Sequence, residues 1–171
     1  MKNKPLQISV FCALLAVCMP ARTFAPPPLL RVDDLADIDV PDAPFDDAAN
    51  ADADVARAFT EARATNKRVL IDLGANWCAD CRILAGVMDL PEMRAFIAAH
   101  YAVANVDVGR FNRNLQVPSR FGIDLRQSGV PTVLIAEPDG RLVNWGHTAA
   151  LVDARRMTPQ AIADWLAEWA R

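Results

Sequence analysis

The chain has 171 residues, about the length of one domain, and its composition of 53% hydrophobic and 23% charged residues is that of a globular protein. Its 18 basic and 21 acidic residues give a formal charge of −3 with no long basic run, which argues against a nucleic-acid groove and leaves no nucleic-acid partner expected. Only four Cys and two His are available for thiol, metal or imidazole chemistry.

In chain order, Lys2 and Lys4 precede an uncharged, mostly apolar stretch, Ile8–Met19. This stretch falls short of the roughly 20 residues that span a bilayer and reads as the core of an export signal. Residues 1–25 are therefore expected to be that signal, cut after Ala25, with Pro26 an unfavourable first residue for the cleavage. A second reading takes Leu15-Ala16-Val17-Cys18 as a lipoprotein signal anchored through Cys18, although Val17 is bulky for that role. Either way the chain is expected in the periplasm or otherwise outside the cytoplasm. Cys78 and Cys81 are then the only unmodified cysteines, in a compartment where disulfides form.

Residues 26–50 read as a Pro/Asp-rich tether. Pro26-Pro27-Pro28 favours extended chain, and Asp is frequent from Asp33 to Asp54 with no Lys or Arg between Val32 and Ala56. A docking arm for a basic partner is the other reading, and Leu29, Leu30, Leu35, Ile38 and Phe45 offer apolar side chains that could pack on the domain.

The folded domain is expected over 51–171. Val55, Phe59 and Ala62 share one face of a helix over about 51–65, and the apolar run Val69, Leu70, Ile71 and Leu73 suits a buried strand. A helix follows Cys78 to about Met88, and Pro91 opens another to about Ala99. A second strand is expected over 101–108, a short helix over 114–121 and a third strand over 132–136. Pro138-Asp139-Gly140 turns into a fourth strand over 142–145. Thr158 and Pro159 mark the start of a C-terminal helix whose Ile162, Trp165, Leu166 and Trp169 form an apolar stripe, read as core rather than as a ligand shelf. The pattern is α/β.

The chemistry centres on Trp77-Cys78-Ala79-Asp80-Cys81, which follows a strand and opens a helix. A helix N-terminus carries unpaired N–H groups and partial positive charge, which favour a thiolate on the first cysteine. The second cysteine, one turn on, is placed to resolve a mixed disulfide. A structural cross-link closing so short a loop would gain little, and a zinc site needs about four ligands. Cu(I) held by the two thiolates, as in a metallochaperone, is an alternative use of the same pair. His100 and His147 adjoin neither cysteine.

The run Val69–Cys81 with its WCADC, followed by Gly129-Val130-Pro131-Thr132, resembles the thioredoxin superfamily over about 51–170. It looks closest to exported thioredoxin-like proteins and to the periplasmic thioredoxin-like domains of transmembrane disulfide reductases. The resemblance implies a thioredoxin fold, a central mixed β-sheet flanked by helices. It makes Cys78 the attacking nucleophile and Cys81 the resolving thiol, and it matches Pro131 to the family's cis-proline, which would turn the Val130 backbone toward an extended substrate. Asp72 matches the family's buried acid, a proton acceptor for Cys81, and Trp77 would shield the disulfide and contact substrate. The lysine that often accompanies that acid is missing, with Val103 in its place. Asp80, beside Cys78, would disfavour a thiolate there and so point to a reductase or isomerase; a disulfide-forming oxidant is the contrary reading. The expected partners are protein disulfide substrates and a transmembrane reductase as electron donor. No organic cofactor or metal is required, and a monomer is the simplest expectation.

Overall fold

The computed structural model describes residues 25–171. The signal expected over 1–25, with Cys12 and Cys18, lies outside the described residues but for Ala25.

Helix α1 (Ala51–Thr65) starts where Asn50 accepts a hydrogen bond from the Ala53 N–H and ends where Asn66 turns into a left-handed conformation. Strand β1 (Arg68–Gly74) follows, then α2 (Ala79–Met88), α3 (Pro91–His100) and β2 (Tyr101–Asp107). Two one-turn helices, α4 (Gln116–Ser119) and α5 (Leu125–Ser128), lead to β3 (Thr132–Ala136), and α6 (Pro159–Glu168) closes the chain. The sheet order is β2-β1-β3, with β1 parallel to β2 and antiparallel to β3. No helix among the described residues is long and apolar enough to cross a membrane.

Because side chains alternate along a strand, β1 serves two cores. Val69, Ile71 and Leu73 pack with Ala102, Ala104 and Val106 of β2 against Val55, Ala58 and Ala62 of α1. The small alanines of α1 and β2 let helix and sheet approach closely. On the other face, Leu70, Val133 and Ile135 pack with residues of α2, α3 and α6, among them Leu84, Phe96, Ile162 and Leu166. Ile162 and Leu166 of the C-terminal stripe are fully buried, while Trp165 and Trp169 are half-buried at its margin.

Two expectations are corrected. The fourth strand over 142–145 is reduced to a single bridge between Ala136 and Leu142. Asn144, fully buried, takes over the ladder with its side chain: its Oδ1 accepts from the Ile135 N–H at 2.9 Å and its Nδ2 donates to the Val133 carbonyl at 2.8 Å. A side-chain amide offers the same donor and acceptor as a backbone unit, so β3's outer edge is satisfied without a strand.

The segment 26–50 is not a free tether. It forms an arm laid along the domain, with Ile38 and Phe45 buried and Leu30, Val32, Leu35 and Val40 packed on the α2–α3–α6 core. Gln160 of α6 binds both ends of a short stretch, accepting from the Leu30 N–H and donating to the Pro28 carbonyl, each at 3.0 Å. Arg82 donates to the Pro41 carbonyl and pairs with Asp42, and Arg113 donates to the Asp47 carbonyl. Buried apolar side chains at intervals, with the Asp42 carboxylate paired to Arg82 and backbone carbonyls held by Arg82 and Arg113, outweigh the self-repulsion that the Asp content suggested.

Candidate active site

Strand β1 ends at Gly74, and four residues later the chain reaches the first cysteine. Cys78 caps α2, its Sγ accepting from the Cys81 N–H at 3.2 Å, so the unpaired end of the helix points at this sulfur. A disulfide joins Cys78 to Cys81. Cys81 is fully buried, whereas Cys78 retains a small exposed area. The small residual exposure of the pair lies on Cys78.

Val130 faces them from across the sheet, its carbonyl oxygen 3.6 Å from Cys78 Sγ and its side chain in contact with the cysteine cluster. The Val130–Pro131 peptide is cis. Gly129, at a φ of 79° that a side chain would resist, lets the chain turn into that position, and Thr132 donates its hydroxyl to the Gly129 carbonyl at 2.7 Å.

Trp77 is 47% exposed beside the pair. Its Nε1 donates to the Gly109 carbonyl at 2.7 Å, the Arg110 guanidinium stands 5.5 Å above its ring, and Phe111 meets it edge-on at 6.0 Å. The loop after β2 therefore buttresses this tryptophan. That role becomes visible only in the fold.

Asp72 is 2% exposed on the same face of β1 as Gly74. Burial pushes its carboxyl up to about 7, and Oδ1 has no hydrogen-bond partner. On β2, Asn105 stands in register with Asp72, while Val103, expected in the lysine's place, pairs with Leu70. A carboxyl titrating near neutrality without a cation beside it is suited to accept a proton and pass it on.

Asp80 departs from its expected influence. Its buried carboxylate accepts from the Arg155 N–H at 3.0 Å and pairs with the Arg155 guanidinium at 3.6 Å. The positive charge offsets the repulsion that Asp80 was expected to exert on a Cys78 thiolate. His100 lies against Phe96 and His147 against Trp169, both apart from the cysteines. Among the described residues no group of three or more His, Cys, Asp and Glu is arranged to hold a metal ion.

Phe45 and Asn76 are site residues that sequence reasoning missed. Phe45 belongs to the cysteine cluster, and Asn76 pairs with its backbone at two points. The signal in the sequence was Gly74: a glycine ending a buried strand next to a redox motif marks a place where something approaches closely.

A mixed sheet with helices on both faces, a disulfide at a helix N-terminus and a Val-Pro turn opposite it define a protein of thiol–disulfide chemistry. A thioredoxin-like family model matches residues 49–138, and the chain belongs to that family. It is 32% identical over 68 residues to a thioredoxin of Thiocapsa roseopersicina, covering 40% of this chain and 65% of that relative, just under two thirds of its length. It is 33% identical over 85 residues to a thioredoxin of Mycobacterium bovis, covering 48% of this chain and 72% of that one. Among solved structures, a disulphide isomerase from Xylella fastidiosa Temecula1 superposes with a TM-score of 0.68 at 37% identity, over 72% of this chain and 94% of that chain. The protein is a thioredoxin-like redox protein.

Proposed function

We propose that the chain is an exported thiol–disulfide oxidoreductase that reduces or isomerises protein disulfides. The observation that carries this reading is the unequal exposure of the pair: Cys78 is accessible at the start of α2, and Cys81 is fully buried. In the reduced protein, the Cys78 thiolate attacks one sulfur of a substrate disulfide and the other sulfur leaves as a thiolate. Cys81 then gives its proton to the Asp72 carboxylate and attacks Cys78 Sγ, releasing the second substrate thiol. Two electrons pass to the substrate, and the Cys78–Cys81 disulfide remains. Trp77 and the Val130 backbone border Cys78 and would hold an extended substrate segment beside it. A transmembrane reductase outside the cytoplasm is the proposed electron donor.

The isomerase likeness supports the reducing direction, whereas Asp80, tied to Arg155, no longer argues for it. Insulin reduction in dithiothreitol tests the activity: Cys78→Ser abolishes it, and Cys81→Ser accumulates mixed disulfides on non-reducing gels. The potential of the pair tests the direction. A value near about −270 mV fits a reductase, and one near about −120 mV makes the protein an oxidant.

A further inference from the structure

The arm reaches into the site at Phe45, a contact that the redox motif itself does not require. Phe45 is 3% exposed, and its ring packs with Cys78, Cys81 and Val130. Room for it comes from Gly74: a Cβ there would collide with Phe45 Cζ and stand 3.1 Å from Cys81 Sγ. Its grip comes from Asn76, whose Oδ1 accepts from the Phe45 N–H and whose Nδ2 donates to the Phe45 carbonyl, both at 2.9 Å. A paired strand residue would satisfy the Phe45 backbone in the same way. The ring is thus locked to the loop that carries Cys78, in a space left open for it.

Phe45 also borders a cavity of about 570 Å³ at the β2 edge of the sheet. Asp72 also lines this cavity, as do the charged groups Arg57 and Glu61 of α1, Asp89 after α2 and Arg94 of α3, together with Tyr101. Of the cysteine cluster Phe45, Cys78, Cys81 and Val130, Phe45 is the member that also lines the cavity.

We propose that Phe45, held by Asn76, is a positioning residue of the redox site, walling Cys81 off from the cavity so that its sulfur meets only Cys78. The proposal rests on the redox reading of the pair. With Phe45 seated, the arm keeps the resolving thiol free for the mixed disulfide on Cys78 and closed to small-molecule disulfides arriving from the cavity. A Cys81 thiolate open on that side would attack a small-molecule disulfide and break its S–S bond. It would keep one half as a dead-end mixed disulfide and expel the other as a thiolate, while Cys78 remains bonded to the substrate sulfur.

The test uses the reduced Cys78→Ser protein, in which Cys81 is the thiol read by mass spectrometry at its own peptide. Phe45→Ala is expected to raise the rate of Cys81 alkylation by iodoacetamide about tenfold or more, the size of change that loss of local protection gives. Asn76→Ala raises it less, and Phe45→Leu, which keeps an apolar wall, restores a rate close to the parent. Amide exchange at Ile135 in β3 separates local opening from general loosening: it stays at the parent rate in Phe45→Ala and Phe45→Leu while Cys81 alkylation rises only in the former.

Alkylation in Phe45→Ala within about twofold of the parent, with the urea midpoint unchanged, overturns the proposal. Should Phe45→Ala fail to fold, Asn76→Ala decides: an unchanged alkylation rate there overturns it equally. Because no protein disulfide is used, failure of the wild-type chain to reduce insulin sinks the oxidoreductase reading without touching this measurement.

Discussion

The two faces of strand β1 are built from the same seven residues to opposite ends. Toward α1 it presents Val69, Ile71 and Leu73, all fully buried among apolar neighbours. Toward α2 it presents Leu70, then Asp72, then Gly74, so the apolar packing gives way step by step as the strand nears the cysteines. A carboxyl stands where a hydrophobe would pack, and a missing side chain leaves room for a ring. Stability is concentrated on one face and chemistry on the other, only a strand's thickness apart.

That division can be broken most strongly from the apolar side. Ile71→Ala removes a fully buried side chain and is expected to cost about 2–5 kcal/mol of stability in urea unfolding. The Cys78–Cys81 potential should stay at the wild-type value; a large shift would mean the faces are not separable.

Asp72→Asn works in the other direction. The native carboxyl titrates near 7 against 3.8 in the unfolded chain, so between these values the native state binds the extra proton and stability falls as pH rises. The penalty is complete above about pH 7 and absent below about pH 4, and its upper bound is roughly 4 kcal/mol. Asp72→Asn should therefore be more stable than wild type at pH 8, with the gain fading toward pH 4, while release of product from the mixed disulfide slows. Parallel urea curves at the two pH values check the first effect. Equal differences at both would deny Asp72 its raised titration.

Asn144→Ala extends the comparison from the faces of the sheet to its edge. Losing two buried hydrogen bonds to β3 is expected to cost about 1–3 kcal/mol, read as faster amide exchange at Ile135. The smallest effect belongs to Trp77→Phe, which keeps a ring but loses the bond to the Gly109 carbonyl. Stability should change by about 1 kcal/mol or less, whereas KM for a protein disulfide rises with kcat little altered. A fall in kcat alone would place Trp77 in the chemistry instead of at the substrate surface.

What could be read from the sequence was whatever is local and periodic. The helix around Val55 and Ala62, the runs at Val69–Leu73 and Thr132–Ala136, and the Thr158-Pro159 start of α6 carry their own signals, and WCADC with the later GVPT carried the family. What escaped reading depends on meetings between distant residues. Asn144 resembles any polar residue in a loop until β3 lies beside it. Asp80 resembles a neighbour of Cys78 until Arg155, 75 residues on, claims its carboxylate. The arm was half legible: Ile38 and Phe45 stood out as apolar residues in an acidic stretch, whereas the pockets they fill are assembled from elsewhere.

Gln160 holds the arm at Pro28 and Leu30, across sequence separations of 132 and 130 residues. The stretch made early in synthesis thus waits for one of the last helices before it can dock at that point. Contacts of such long range form late because the intervening chain must first be ordered. Assembly is then expected to finish at the front of the arm: Phe45, held by Asn76 only 31 residues away, can seat as the sheet and its cysteines come together, whereas Pro28 and Leu30 dock once α6 is in place.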